Sequence, residues 1–291
     1  MWRDRCLLVQ MGHAAGFETR GPEELPALRE VVRARFGPEL AFLEAMPEIL
    51  LTPDYLFVHG GVADEAHLEG LDAWKCMKND DFLSQGHSFR RWCIVGHWPV
   101  TLYHPHVPSA APLLAEGRHI ASIDGGCSLK VDGQLNALVL PERPGGAFSW
   151  FAYDGLPTAT ALDPQAPSAD SVNIRWGRNA LEVLERGAEL SLCRHLETGR
   201  VLEVLTEYLY VDRGVTRCED STDYRLAVRP GDTLSVVRRI SDLRTAGPLG
   251  AAIPAERSQP TTELRYGGLI GTNFSLDNQK KNNIIIVIII I

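Results

Sequence analysis

The chain has 291 residues, 45% of them hydrophobic and 23% charged, with a formal net charge of −8. That is long enough for two domains and a sizeable core, and the balance is that of a globular protein rather than a disordered one. The negative charge argues against non-specific nucleic-acid binding, which relies on basic surface; an anionic substrate stays open, because a bound metal supplies local positive charge.

Nothing in Met1–Arg5 reads as a secretory signal. The six cysteines (Cys6, Cys76, Cys93, Cys127, Cys193 and Cys218) are scattered without a C-x-x-C pair, which disfavours zinc-ribbon and thioredoxin-like chemistry and fits a reducing cytoplasm. Cys93 and Cys127 lie in strand-like apolar runs and are expected as buried thiols. Residues 22–46 carry Leu25, Leu28, Val31, Val32, Phe36, Leu40, Leu43 and Met46 at a spacing of three to four, which predicts helix. Pro22 suits a first turn, and Gly37 with Pro38 breaks the segment into two helices.

Two short apolar runs follow, each ending in a histidine. Tyr55–Val58 leads into His59, Gly60 and Gly61, and Cys93–Val95 leads into Gly96, His97, Trp98 and Pro99. Each run reads as a buried strand stopped by glycine or proline. A side chain at a strand end is held rigidly while the loop beyond it opens to solvent. Two such imidazoles suit one shared divalent ion, and the adjoining glycines permit close backbone approach. Between the runs, residues 64–84 read as a helix-rich connection, with Leu68, Leu71, Trp74, Met77 and Phe82 as core candidates.

Leu102 then enters a Pro-rich loop in which His104 and His106 read as solvated residues bordering an entrance rather than as ligands. Residues 119–124 and 134–140 alternate and flank Asp132 and Gly133, a hairpin signal. Asp124 ends the first of these runs, and two roles stay open for it: a cap on the following turn, or a carboxylate that orients a nearby histidine. Residues 154–171, rich in Pro, Ala, Ser and Asp, are expected as a linker. Short β-like runs separated by glycine turns fill residues 172–245, an expected small all-β barrel, SH3-like by analogy only. Cys193 and His195 lie close together there without further ligand candidates. Residues 246–291 are expected to be a disordered or aberrant tail, ending in eight Ile and Val residues, too few to span a bilayer and prone to β aggregation.

The histidine motifs carry a family resemblance. Phe57–Val62 (FVHGGV) is similar to the VHGG motif of calcineurin-like metallophosphoesterases, which include phosphoprotein phosphatases and diadenosine tetraphosphate hydrolases. Val95–Val100 (VGHWPV) resembles their GHTP motif with tryptophan replacing threonine, and Ile120–Gly126 (IASIDGG) with Gly133–Leu138 (GQLNAL) resembles the hairpin that follows. The match covers roughly residues 10 to 140. It implies a partial calcineurin-like β-sandwich flanked by helices over residues 1–153, so that the whole chain is α/β (α+β), with the β domain appended.

The resemblance further implies that His59 and His97 are metal ligands and that Gly60, Gly61, Gly96, Trp98 and Asp124 line or support the pocket. The reaction implied is phosphate-ester hydrolysis by metal-activated water with Mn, Fe or Zn, and the substrate a phosphorylated protein, a dinucleotide or a small ester. Nucleic acid and membrane are not expected as partners. The family's earlier motifs (D-x-H, GDxxDRG and GNHE) do not occur in this chain. The stretch from Gly16 to Leu51 resembles the insert that follows GNHE, so the expectation is a fragment that begins after the first half of the domain. The bridging aspartate and the general acid belong to the absent motifs. Two metals in the intact family then reduce to at most one, weakly held, and the chain is expected to be nearly inactive. The alternative is a non-catalytic scaffold that binds a partner through its β domain.

Overall fold

A computed structural model describes residues 6–141 and 145–240, together with the strands Thr261–Leu264 and Ile286–Val287. The chain is mixed α and β, mostly strands with few helices. The expectation for residues 246–291 lies outside the described residues apart from those two strands. Among the described residues no helix is long and apolar enough to cross a membrane.

Two compact units divide at Glu48 and Ile49. In the first, helices α1 (Leu7–Ala14), α2 (Leu25–Arg35) and α3 (Gly37–Glu44) surround Val9, Met11, Leu28 and Val32. The chain breaks between α2 and α3 at Phe36, with Pro38 in the first turn of the new helix, as Gly37 and Pro38 predict.

The second unit is built on a five-stranded sheet. Its strands are β1 (Ile49–Leu51), β2 (Tyr55–Val58), β3 (Trp92–Val95), β4 (Leu113–Ala115) and β5 (Ile120–Ser122), in the order β1-β2-β3-β5-β4. The central three are parallel, with Phe57 opposite Ile94 and Val95 opposite Ser122. Parallel strands in the middle of a sheet are covered on both faces, so β2 and β3 read as unbroken apolar runs. On one face Leu56, Val58, Cys93, Val95 and Ile120 pack against Val62, Cys76, Phe82, Leu83 and Phe89. On the other, Ile94, Ala121, Tyr55 and Phe57 meet Leu138 and Trp150 of a second sheet containing β6 (Leu135–Val139) and β7 (Ser149–Tyr153), with Leu140 and Phe148 flanking those strands. Each fully buried Leu or Ile here contributes about 1.5–3 kcal/mol.

Three expectations change. The segment 64–84 holds only the five-residue α4 (Ala73–Met77) and a 3₁₀ turn at Phe82–Gln85. Leu71, Trp74 and Met77 are exposed, because Phe82, Leu83, Val62 and Phe89 already fill that sheet face and α4 turns only Cys76 inward. The hairpin around Asp132 and Gly133 does not form: β5 and β6 lie in different sheets. β5 already has β3 on one side and β4 on the other, so it offers no free edge to β6. Gly133 instead lies against Gly126, where a Cβ would sit 2.2 Å from the Gly126 carbonyl oxygen. Cys127 lies in this loop and is exposed, unlike the buried Cys93.

The remaining strands are antiparallel. Within residues 154–171, β8 (Thr158–Thr160) pairs with β16 (Thr233–Ile240) and Gln165 bridges Val228. β10 (Leu181–Glu185), β11 (Leu190–His195) and β12 (Val201–Leu205) form a meander. β13 (Leu209–Asp212) pairs with β14 (Val215–Cys218), and β9 (Asn173–Ile174) with β15 (Ser221–Thr222), around Ile174, Cys193, Val204 and Cys218. This layer is sewn to the histidine-bearing part. The Asn173 amide nitrogen Nδ2 donates to the His104 carbonyl at 2.8 Å, Ser171 Oγ donates to the His106 carbonyl at 2.9 Å, and Lys130 pairs with Asp220.

Candidate metal centre

His59, His97 and Asp124 follow β2, β3 and β5, three adjacent parallel strands, and so gather at one carboxyl edge of the sheet. Open α/β sheets bind ligands at that edge. The His59 and His97 ring centroids are 5.3 Å apart and the rings are tilted by 57°. An ion about 2.1 Å from one nitrogen of each ring, with a tetrahedral angle between them, places the centroids about 5 Å apart. The spacing therefore fits two imidazoles on one ion.

Backbone bonds fix both rings at their base. The Gly96 N–H donates to the His59 carbonyl at 2.8 Å, which ties the two strand ends together. The Trp98 N–H donates to the Gly96 carbonyl at 2.7 Å, closing a three-residue turn around His97, whose φ is +63°. Such a γ-turn is a strained conformation for a residue with a side chain, and strain of this kind collects at functional positions. The Val100 N–H then donates to the Asp124 carbonyl at 2.8 Å, linking this turn to the end of β5.

Gly60 and Gly61 are buried, and the chain itself presses on them. A Cβ on Gly60 would lie 2.8 Å from the Met77 carbonyl oxygen and 2.9 Å from the Asn79 nitrogen; one on Gly61, with φ of +123°, would lie 2.5 Å from the Phe82 ring. The two glycines admit segment 76–82 to the site, and that segment carries Asp80. The Asp80 Oδ1 lies 2.8 Å from His97 Nε2. No sequence signal marked Asp80; it stands 17 residues before its partner in the chain. Gly96 is buried and Trp98 half-buried beside the histidine turn.

The charge state suits ligation. Burial, then the neighbouring His97 and Lys78, hold His59 below the ordinary imidazole value, favouring the neutral form that binds metals. Asp124 is 5% exposed, and its Oδ1 accepts the Gly126 N–H at 2.7 Å, so it caps its turn. Burial pushes its carboxyl up, partly offset by the Gly126 hydrogen bond and by the neighbouring His97 and Lys130. Among the described residues no cluster of three or more His, Cys, Asp or Glu side chains is arranged around one ion.

His195 and His106 have hydrogen-bond partners of their own. His195 is buried, with Nδ1 2.9 Å from Thr198 Oγ1 and Nε2 2.8 Å from the Arg178 carbonyl oxygen. His106 Nδ1 lies 3.1 Å from the Ser171 carbonyl oxygen, and His104 is half-buried, its imidazole lowered by burial and by Arg175. Comparison with protein-family models, with curated proteins and with solved structures gives no match to this chain.

Proposed function

We propose that the carboxyl edge of the five-stranded sheet is the metal centre of a calcineurin-like phosphoesterase, with His59 and His97 as the two imidazole ligands of one divalent ion. The observation that carries this reading is the 5.3 Å separation of two tilted rings at adjacent parallel strand ends. The neutral His59 and the strained, backbone-locked His97 support it. A divalent ion there, Mn, Fe or Zn by ligand type, supplies Lewis-acid charge for a phosphate ester and lowers the pKa of water. Of the chain's own groups, Gly60 and Gly61 admit the segment bearing Asp80, Asp124 closes the third strand end, and Trp98 borders the pocket.

On this reading the paired sheets of the second unit are the sandwich of that fold, and strands β9 to β15 are a small SH3-like module. Six free thiols support a cytoplasmic setting. The 291 residues hold neither the bridging aspartate nor the general acid of the family motifs. One weakly held ion and little turnover are therefore expected of this chain, with a phosphorylated protein, a dinucleotide or a small ester as the substrate class. A non-catalytic role, with the β module engaging a partner, is the second reading; it is favoured by the small number of ligands at the edge. Calorimetric titration with Mn²⁺ and Zn²⁺ tests the metal assignment. His59→Ala and His97→Ala should each weaken binding at least about tenfold, and unchanged binding in both overturns it. Nitrophenyl phosphate hydrolysis should stay at the level of the His59→Ala variant; metal-dependent turnover above it refutes the inactive reading.

A further inference from the structure

The geometry points to Asp80 as the positioning residue that fixes the His97 tautomer, placing the ring proton on Nε2 and the free lone pair on Nδ1, the nitrogen that would meet the ion. This rests on the metal reading above and adds to it which atom of His97 ligates and what holds it. The imidazole of a neutral histidine carries one N–H and one lone pair, and its hydrogen-bond partner selects between them. A carboxylate only accepts, so the nitrogen facing Asp80 at 2.8 Å must carry the proton. His97 Nδ1 makes no hydrogen bond among the described residues, and it is the nitrogen left over. A carboxylate behind a ligating imidazole is the arrangement by which metalloproteins orient that ring and raise its basicity.

Several contacts place Asp80 where it can do this. Gly60 lets the backbone at Met77 and Asn79 close on the end of β2. The Gly60 N–H donates to the Cys76 carbonyl at 2.6 Å. Gln85 Nε2 then holds the loop from the other side, donating to Asn79 Oδ1 at 2.7 Å and to the Asp80 carbonyl at 2.8 Å. Ser84 Oγ donates to Asp81 Oδ1 at 2.7 Å, closing the same turn. The His97 ring is 12% exposed, whereas the Asp80 side chain is 70% exposed. The carboxylate thus reaches the ring from the solvent side, and removing it leaves the packed interior intact.

The test reads the tautomer directly in the metal-free chain. Long-range ¹⁵N–¹H NMR correlation spectra, with the His97 signals assigned by their loss in His97→Gln, should show the proton on Nε2 at a pH where the ring is neutral. Asp80→Asn replaces the acceptor-only carboxylate with an amide that can accept from or donate to the same nitrogen, and should lower the Nε2–H population without abolishing it. Asp80→Ala should leave a mixture, and Asp80→Glu should keep most of the native form. With Zn²⁺ alone as the probe, Asp80→Ala and Asp80→Asn should bind about tenfold more weakly than the native chain, and Asp80→Glu should recover part of the loss. An Nδ1–H tautomer in the native chain, or a tautomer population that Asp80→Ala leaves unchanged, overturns the inference. The metal reading fails separately, if His59→Ala and His97→Ala retain full Zn²⁺ binding.

Discussion

His195 and the sheet-edge pair His59 and His97 are held in different ways. In the β layer His195 is buried and both of its ring nitrogens are answered by the chain's own groups, Thr198 and the Arg178 carbonyl. At the sheet edge His59 is half-buried with no side-chain hydrogen bond among the described residues, and His97 is held by one nitrogen only. A satisfied imidazole contributes to stability, because breaking its bonds leaves buried partners unpaired. An imidazole held at its base but left open at its tip contributes little to the fold and is available to a ligand. His195 and the sheet-edge pair therefore differ in what the fold leaves open at the ring, and only the edge pair brings two open imidazoles to one place.

The largest expected effect breaks the frame under the sheet-edge pair. Phe82→Ala empties a fully buried position under the Gly61 turn and should cost about 3–5 kcal/mol in a urea melt, with metal binding lost alongside. Gly61→Val adds a side chain at φ +123° against that same ring and should cost about 2 kcal/mol or more, again by denaturant midpoint. His195→Ala should cost about 1–3 kcal/mol while leaving Zn²⁺ affinity unchanged. His59→Ala should do the reverse, shifting the melting midpoint little and abolishing most of the binding; equal stability losses for the two would erase the distinction between them.

pH sharpens the same contrast. The unfolded chain binds a proton at His59 near 6.5, and the folded chain binds it only at lower pH. In that window the unfolded state holds more protons, so stability rises with pH. The contribution is fully present above 6.5 and is lost as pH falls below it. His104 is lowered too, so both substitutions, His59→Gln and His104→Gln, are needed to flatten the dependence of the urea midpoint between pH 7.5 and 5.5. The smallest expected effect is that of Asp124→Asn. The amide oxygen can still accept the Gly126 N–H, and burial already disfavours the ionised carboxyl, so the thermal midpoint should move by no more than the equivalent of about 1 kcal/mol.

The sequence made the histidine strands legible because parallel central strands must be apolar on both faces, and glycine marked where they stop. The break between α2 and α3 was legible from Gly37 and Pro38 for a similar local reason. The pairing of β5 was not: Asp132 and Gly133 signal a hairpin only if the preceding strand has an open edge, and β3 and β4 occupy both edges of β5. Leu71, Trp74 and Met77 have a helical spacing, but the sheet face they would cover is filled by Val62, Phe82, Leu83 and Phe89. Asp80 was invisible because its contact with His97 depends on how closely segment 76–79 approaches Gly60. Gly60 and Gly61 permit close approach, and what approaches them is the chain itself.

The central claim is that His59 and His97 share one ion, and X-ray absorption at the zinc edge of the Zn²⁺-loaded chain tests it most directly. The account predicts scattering from two imidazoles at about 2.0–2.1 Å, falling to one in each of His59→Ala and His97→Ala. A native spectrum with no imidazole scattering, or one unchanged by both substitutions, would contradict it.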